Sequence, residues 1–168
     1  RSIAHSVWFM NDIASCFAMR DALGNHSYFS TFEVVVAAGS GVGMGVAAKP
    51  PVDNAIAKAE KSGTGSITIT CGKLMTGVTV RQWGAILMLK SLKSPETYFQ
   101  AAFRVQSPWS KRLPDGRIEV LKEPVFVFEF DPNRALTLVA EYGMRLGALG
   151  DTSPQEAIAQ LLNYLPIF

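Results

Sequence analysis

The sequence contains little cysteine or histidine, the side chains that most often build structural zinc sites. Its 168 residues include only two cysteines, Cys16 and Cys71, and two histidines, His5 and His26. Both cysteines lie in apolar runs without CxxC spacing, so we expect two buried thiols in a reducing compartment. The composition therefore argues against a disulfide-stabilised protein, and we expect no metal site.

Long apolar runs are also missing. No stretch approaches the length of about 20 apolar residues that a membrane helix requires, and no signal peptide is recognisable. We therefore expect a cytoplasmic protein without a membrane partner. Charged residues make up 18 % and hydrophobic residues 48 %, which excludes a disordered segment, and the net charge of +2 neither requires nor excludes nucleic acid. Because the chain starts at Arg1 rather than methionine, we expect a piece of a longer protein.

Two motifs of nucleotide-binding proteins are absent. There is no GxxxxGK[ST] phosphate loop and no DExx box on a strand-like run. The glycine-rich residues 39–45 fail the GxGxxG spacing, since counting from Gly39 places Met44 at the last glycine. Pro50 and Pro51 should also hinder a helix start behind this loop. A dinucleotide-binding enzyme is therefore the weaker alternative, and a surface loop is the preferred interpretation.

What is present is a regular alternation of strand-like and helix-like segments. Apolar or β-branched runs predict strands at residues 6–10, 32–38, 66–71, 84–89 and 125–130. Capping and spacing predict helices at residues 12–23, 53–61, 95–107, 132–146 and 153–164, and LPDGR at 113–117 predicts a hairpin turn. In the first helix, Ile13, Phe17 and Ala18 should face the sheet. This pattern is typical of a three-layer α/β fold, a parallel sheet with helices on both faces.

One polar stripe and one polar loop suggest a binding site. On a helix, Thr97, Gln100, Arg104 and Ser107 fall at steps of three, four and three, so they should form one stripe. The loop at residues 72–83 follows a strand, and we expect it at the carboxyl edge of the sheet, where such folds bind ligands. An amide and a guanidinium beside that loop favour an anion such as phosphate. The alternative is a solvated helix face with a surface salt bridge.

These two segments resemble motifs of a known family. Residues 71–80, CGKLMTGVTV, followed by 98–104, YFQAAFR, resemble motifs V and VI of superfamily 2 helicases. The similarity is closest to the DEAD/DEAH-like helicase subunits of type I and type III restriction enzymes. There both motifs lie on the second of two RecA-like lobes. The resemblance implies a RecA-like lobe over residues 1–150, a P-loop NTPase-like fold without its own P-loop, followed by a helix at 151–168 that starts a further region.

The resemblance implies roles for individual residues. Thr76 matches the motif V threonine that touches the nucleic-acid backbone, and Gly77 lets that backbone approach. Gln100 matches the motif VI glutamine near the γ-phosphate and the attacking water. Arg104 matches the first motif VI arginine, a finger across the ATP cleft. On this basis Gln100 and Arg104 are the expected catalytic residues, and Gly77 and Thr79 join them on the nucleotide side.

Charged residues beside the motifs extend the expected nucleic-acid contact. We assign Lys73 and Arg81 to the phosphate backbone, with ordinary solubilising charge as the alternative. The partner that the family implies is DNA, with RNA as the alternative. Further expected partners are an N-terminal helicase lobe of the same protein and nuclease or methyltransferase subunits.

Three positions depart from the family pattern. Thr79 stands where motif V has aspartate, Phe103 replaces the glycine before the finger, and Ser107 replaces the second arginine. Lys111 or Arg112 from the following loop is a candidate substitute for that arginine. These departures keep open a non-catalytic scaffold domain that retained the fold and lost the chemistry.

The expected cofactors are ATP and Mg²⁺, held mainly by the N-terminal lobe and not bound by this chain alone. The expected function is therefore the second motor lobe of an ATP-dependent DNA helicase or translocase, inactive as an isolated chain.

Overall fold

The computed structural model describes residues 3–39, 45–72, 74, 78–92, 94–122, 124–147, 153, 155–156 and 159. The strands in this part of the chain are β1 His5–Phe9, β2 Glu33–Val36, β3 Ser66–Thr70, β4 Ala85–Met88, β5 Ser110–Arg112, β6 Ile118–Val120 and β7 Phe126–Glu129. Its α-helices are α1 Ile13–Gly24, α2 Lys49–Ser62, α3 Pro95–Ala102 and α4 Pro132–Gly147.

Five strands form one sheet in the order β2-β3-β1-β4-β7. The β1–β3, β1–β4 and β2–β3 pairs are parallel. Every residue of β1 and β3 is buried, as expected for strands that are covered on both faces. The predicted α/β class is therefore confirmed, with a mostly parallel sheet flanked by helices.

Helix α1 buries a different face from the predicted one. Ile13 and Phe17 are 46 % and 39 % exposed, and Ala18 is exposed as well. Cys16 and Leu23 are buried instead, in one apolar cluster with residues of β1 and β3. The prediction was wrong because apolar residues surround most of this helix, so their spacing does not determine which side packs.

The predicted start of α1 and the predicted end of α2 depend on local chemistry and are confirmed. The Asp12 carboxylate accepts a hydrogen bond from the backbone N–H of Ser15 at 2.7 Å and thereby caps α1. This bond lowers the pKa of Asp12. At the end of α2, Gly63 adopts a left-handed conformation with φ of 67°, which closes the helix.

Helix α2 begins four residues earlier than predicted. We expected Pro50 and Pro51 to delay it, but both lie in its first turn. There a proline costs no hydrogen bond, because the first N–H groups of a helix have no intrahelical acceptor. Val52, Ile56 and Ala59 follow at helical spacing and are buried.

The predicted hairpin is confirmed. β5 and β6 pair antiparallel, with Ser110 opposite Val120 and Arg112 opposite Ile118. In the turn between them, the backbone N–H of Leu113 donates to the carbonyl of Arg117 at 2.8 Å. Gly116 has a φ of 84°, a conformation that favours glycine.

The chain divides into two compact units. The first comprises Arg1–Lys90 and Gln100–Phe128, and the second comprises Ser91–Phe99 and Glu129–Phe168. In the second unit, Arg145 forms an ion pair with Glu96. The predicted division at residue 150 stays a prediction.

The predicted last helix lies largely outside the described residues. At its expected start, the hydroxyl oxygen of Ser153 accepts from the backbone N–H of Glu156 at 3.3 Å, and the Glu156 carboxylate accepts from the backbone N–H of Ser153 at 3.1 Å. This reciprocal pair is typical of a helix start. Within the described ranges, no helix combines the length and the apolarity that crossing a membrane would require.

Candidate functional site

The segment that carries Gln100 and Arg104 is not one continuous α-helix. Helix α3 ends at Ala102, and a 3-10 helix, Phe103–Val105, follows it. A 3-10 turn is tighter than an α-helical turn, so the predicted α-helical stripe does not continue past Ala102. The prediction of one helix through Ser107 is wrong in this respect.

Gln100, Arg104 and Ser107 nevertheless share one cleft. Together with Phe103 they line a space of about 250 Å³, which we call the Gln100 cleft. Gln100 is exposed and Arg104 is half-buried, with its Nε shielded from solvent. Phe103 is 51 % exposed, and it occupies the wall where the resembled family has a glycine.

Arg104 connects this cleft to the preceding loop. Its Nη1 donates a hydrogen bond to the backbone carbonyl of Val78 at 2.8 Å. A guanidinium is planar and its donors have fixed directions, so this bond constrains how Arg104 is oriented against the loop. The two sequence segments that resemble motifs V and VI are therefore in direct contact.

The loop before β4 alternates between buried and exposed residues. Val78, Val80 and Trp83 are each 1 % exposed, whereas Thr79 and Arg81 are exposed. The Trp83 indole N–H donates to the hydroxyl of Thr68 in β3 at 3.3 Å. The buried residues anchor the loop on the sheet, and the exposed ones project their polar groups away from it.

The prediction that this whole loop lies at the carboxyl edge of the sheet is wrong. It begins there, at Gly72 after β3, but the backbone N–H of Gly84 donates to the carbonyl of His5 at the amino end of β1. β4 runs parallel to β1, so the chain must cross the sheet before β4 can begin.

The exposed side of the loop faces a second cleft of about 540 Å³, which we call the Trp109 cleft. Its lining combines two cations, three neutral hydrogen-bonding groups and one indole. The residues are Lys49, Thr79, Arg81, Gln82, Trp109 and Ser110.

Lys122 joins the loop to the 3-10 helix. Its ammonium donates to the backbone carbonyls of Trp83 at 2.9 Å and Val105 at 2.8 Å. Burial lowers the pKa of Lys122. Sequence reasoning missed this residue, because a lone lysine in a polar segment between strands reads as a solubilising charge.

Lys122→Met is expected to lower the free energy of unfolding by about 1–3 kcal/mol. Methionine keeps an unbranched side chain that ends one atom short of the ammonium, so the two carbonyls lose this donor. Urea denaturation of the variant measures the loss. The control is Lys111→Met, because Lys111 is fully exposed on the neighbouring hairpin. Equal urea midpoints for the two variants would show that the two hydrogen bonds of Lys122 contribute nothing to the free energy of unfolding.

Three predicted site residues, Lys73, Thr76 and Gly77, lie outside the described residues, as does most of the glycine run, residues 40–44. Their predicted roles stay predictions.

The described part of the chain contains no group of three or more histidine, cysteine or acidic side chains that could hold a metal ion. The two cysteines are free thiols. Burial and the neighbouring Cys71 raise the pKa of Cys16 to about 12. Cys16 is therefore protonated and a poor nucleophile.

Comparison with known proteins gives one informative similarity. No protein-family profile matches the chain. The chain is 32 % identical over 169 aligned residues to a protein of Mycoplasma pneumoniae, which is provisionally named type II restriction enzyme and methyltransferase RM.MpnORF110P, C-terminus. The alignment covers 98 % of this chain but only 22 % of that relative. The chain is therefore similar, over nearly its whole length, to about a fifth of a longer restriction-modification protein.

Proposed function

We propose that this chain is the second, RecA-like motor lobe of an ATP-dependent DNA helicase or translocase in a restriction-modification enzyme. The observation that carries the proposal is the hydrogen bond from Arg104 to the Val78 carbonyl. This bond joins the segment that resembles motif V, which contributes Thr79 to the Trp109 cleft, to the segment that resembles motif VI, which contributes Gln100 and Arg104 to the Gln100 cleft. The similarity to a restriction-modification protein supports the same class of enzyme.

The Gln100 cleft suits the terminal phosphate of ATP. A guanidinium and an amide near each other can bind phosphate oxygens and stabilise the charge that develops during transfer. ATP would supply the phosphoanhydride bond whose hydrolysis drives movement. None of the described lining residues is a carboxylate, and in this proposal the ligands for Mg²⁺ come from another lobe. In this proposal, Gln100 orients the attacking water and Arg104 neutralises charge on the phosphate.

The Trp109 cleft suits the DNA side of the same machine. Thr79, which the resemblance assigns to the nucleotide side, lines this cleft and not the Gln100 cleft. Thr79 and Arg81 project from the loop that is hydrogen-bonded to Arg104, so a strand bound there would contact a segment in direct contact with a residue of the Gln100 cleft. Through this loop, binding of DNA could be transmitted to the Gln100 cleft.

A non-catalytic scaffold domain is the second candidate, and two observations favour it. Phe103 lines the Gln100 cleft where the resembled family has glycine. One donor of Arg104 is already used inside the chain.

ATP hydrolysis tests the motor proposal directly. The full-length protein and the isolated 168-residue chain are assayed with and without DNA. We expect DNA-stimulated turnover by the full-length protein and none by the isolated chain. Absence of DNA-stimulated turnover in the full-length protein would refute the motor function. Turnover by the chain alone, above that of the Arg104→Ala chain, would refute the need for a second lobe.

A further inference from the structure

The described residues that line the Trp109 cleft carry positive charge and include no carboxylate. Of its two cations, Lys49 is engaged, since its Nζ lies 2.6 and 2.8 Å from the carboxylate oxygens of Asp53. Arg81 is exposed, and in the part of the chain that the structure describes, no hydrogen bond or ion pair involves its guanidinium. Arg81 is thus the group best placed to bind an anionic ligand.

Trp109 gives the same cleft an aromatic wall. The indole is half-buried and meets the imidazole of His5 in an edge-to-face contact, with ring centroids 6.1 Å apart. Its backbone carbonyl accepts a hydrogen bond from the N–H of Leu121 at 2.9 Å, so the residue is fixed to the hairpin. An indole that is held in place and partly open to solvent can stack on a flat ligand ring at small entropic cost.

We propose that the Trp109 cleft binds single-stranded DNA, with Arg81 on a phosphate and Trp109 stacked on a base. A cationic groove with an aromatic platform is how proteins bind single strands without reading their sequence. In a duplex each base is already stacked between its neighbours, so the indole would have no base face to cover. The hydroxyls of Thr79 and Ser110 and the amide of Gln82 are further hydrogen-bond donors for the strand. This inference rests on the proposed function, because it specifies the form of DNA that the lobe holds.

Intrinsic fluorescence reports on this contact. Of the three tryptophans, Trp8 and Trp83 are buried, so a stacked base should quench Trp109 selectively. Oligothymidylate should quench the fluorescence of the full-length protein more strongly than that of the Trp109→Phe variant, which should keep most of the affinity. Equal quenching of the native protein and of Trp109→Phe would overturn the assignment.

Binding of labelled oligothymidylate to the full-length protein tests the stacking itself. Trp109→Ala should weaken binding about 5- to 150-fold, the usual loss for one stacked base. An abasic strand of the same length keeps the phosphates and lacks the bases, so the native protein and Trp109→Ala should bind it equally. Equal losses on both strands, or a loss confined to duplex DNA or to free nucleotide, would overturn the proposal.

Salt dependence tests the role of Arg81. Arg81→Ala should reduce the log–log slope of oligothymidylate affinity against salt by about 0.7, the value for one phosphate contact on a single strand. Arg117→Ala removes an exposed charge outside the cleft and should leave the slope unchanged. These binding measurements need no ATP. The single-strand site can therefore be refuted while DNA-stimulated ATP hydrolysis is observed, and the motor function can be refuted while the single-strand site is confirmed. Equal slopes for Arg81→Ala and the native protein would overturn the phosphate contact.

Discussion

Replacing Arg104 by alanine is expected to lower the DNA-stimulated ATP turnover of the full-length protein by about 10³–10⁵-fold, the usual effect of losing an arginine finger. The guanidinium lines the Gln100 cleft, and its bond to Val78 fixes its orientation before a nucleotide arrives. A donor that is oriented in advance stabilises transition-state charge without a cost of reorganisation. Steady-state turnover at saturating ATP and DNA measures the effect.

The charge and the geometry of Arg104 can be separated with two further variants. Arg104→Lys keeps the charge but lacks the planar fork of donors, so it should recover only a small part of the turnover. Arg117→Ala removes a charge from the exposed hairpin and should behave as the native protein. Native turnover in Arg104→Ala would exclude the finger and favour the scaffold domain.

The same variants distinguish a catalytic Arg104 from a purely structural one. If its main role is to hold the Val78 carbonyl, its loss should loosen the loop at Thr79 and Arg81. DNA affinity in the absence of ATP should then fall together with turnover. If Arg104 acts on the nucleotide, turnover should fall while DNA affinity stays within a few-fold of native. The two outcomes separate the motor from the scaffold.

The parts of the fold that depend on local sequence were predictable. The central strands are short apolar or β-branched runs, and Asp12 caps its helix through a neighbour three residues away. The buried side of α1 depends on which neighbours it meets. Because most of that helix is apolar, only the tertiary structure determines that Cys16 packs inward and Phe17 outward.

The candidate site was predictable only where a resemblance marked it. That resemblance indicated Gln100 and Arg104, which the structure brings to one cleft. Lys122 acts on carbonyls 39 and 17 residues away along the chain, and no local pattern predicts such contacts. The residues that line the Trp109 cleft come from three separate segments of the chain, so this cleft appears only in the fold.

Gly65→Ala is expected to lower the free energy of unfolding by about 3 kcal/mol, at the upper end of the usual range for overpacking. A Cβ at this position would lie 2.5 Å from the carbonyl oxygen of Ala4 and 2.6 Å from the ring of Phe32. The backbone cannot readily move away, because the Gly65 carbonyl accepts from Glu33 and the Ala4 carbonyl accepts from Ser66, each at 2.9 Å. For a protein of this size, the melting temperature should fall by about 6–12 °C.

Gly24→Ala is the matched control for this substitution. Gly24 is the last residue of α1, and an added Cβ would meet no atom within 4 Å. Alanine also restricts the unfolded chain, so this variant should be as stable as the native protein or slightly more stable. Both variants add one methyl group to a glycine, so the steric conflict at Gly65 should dominate the difference between them. If they melted at the same temperature, β1, β2 and β3 could not converge as closely at Gly65 as the structure places them.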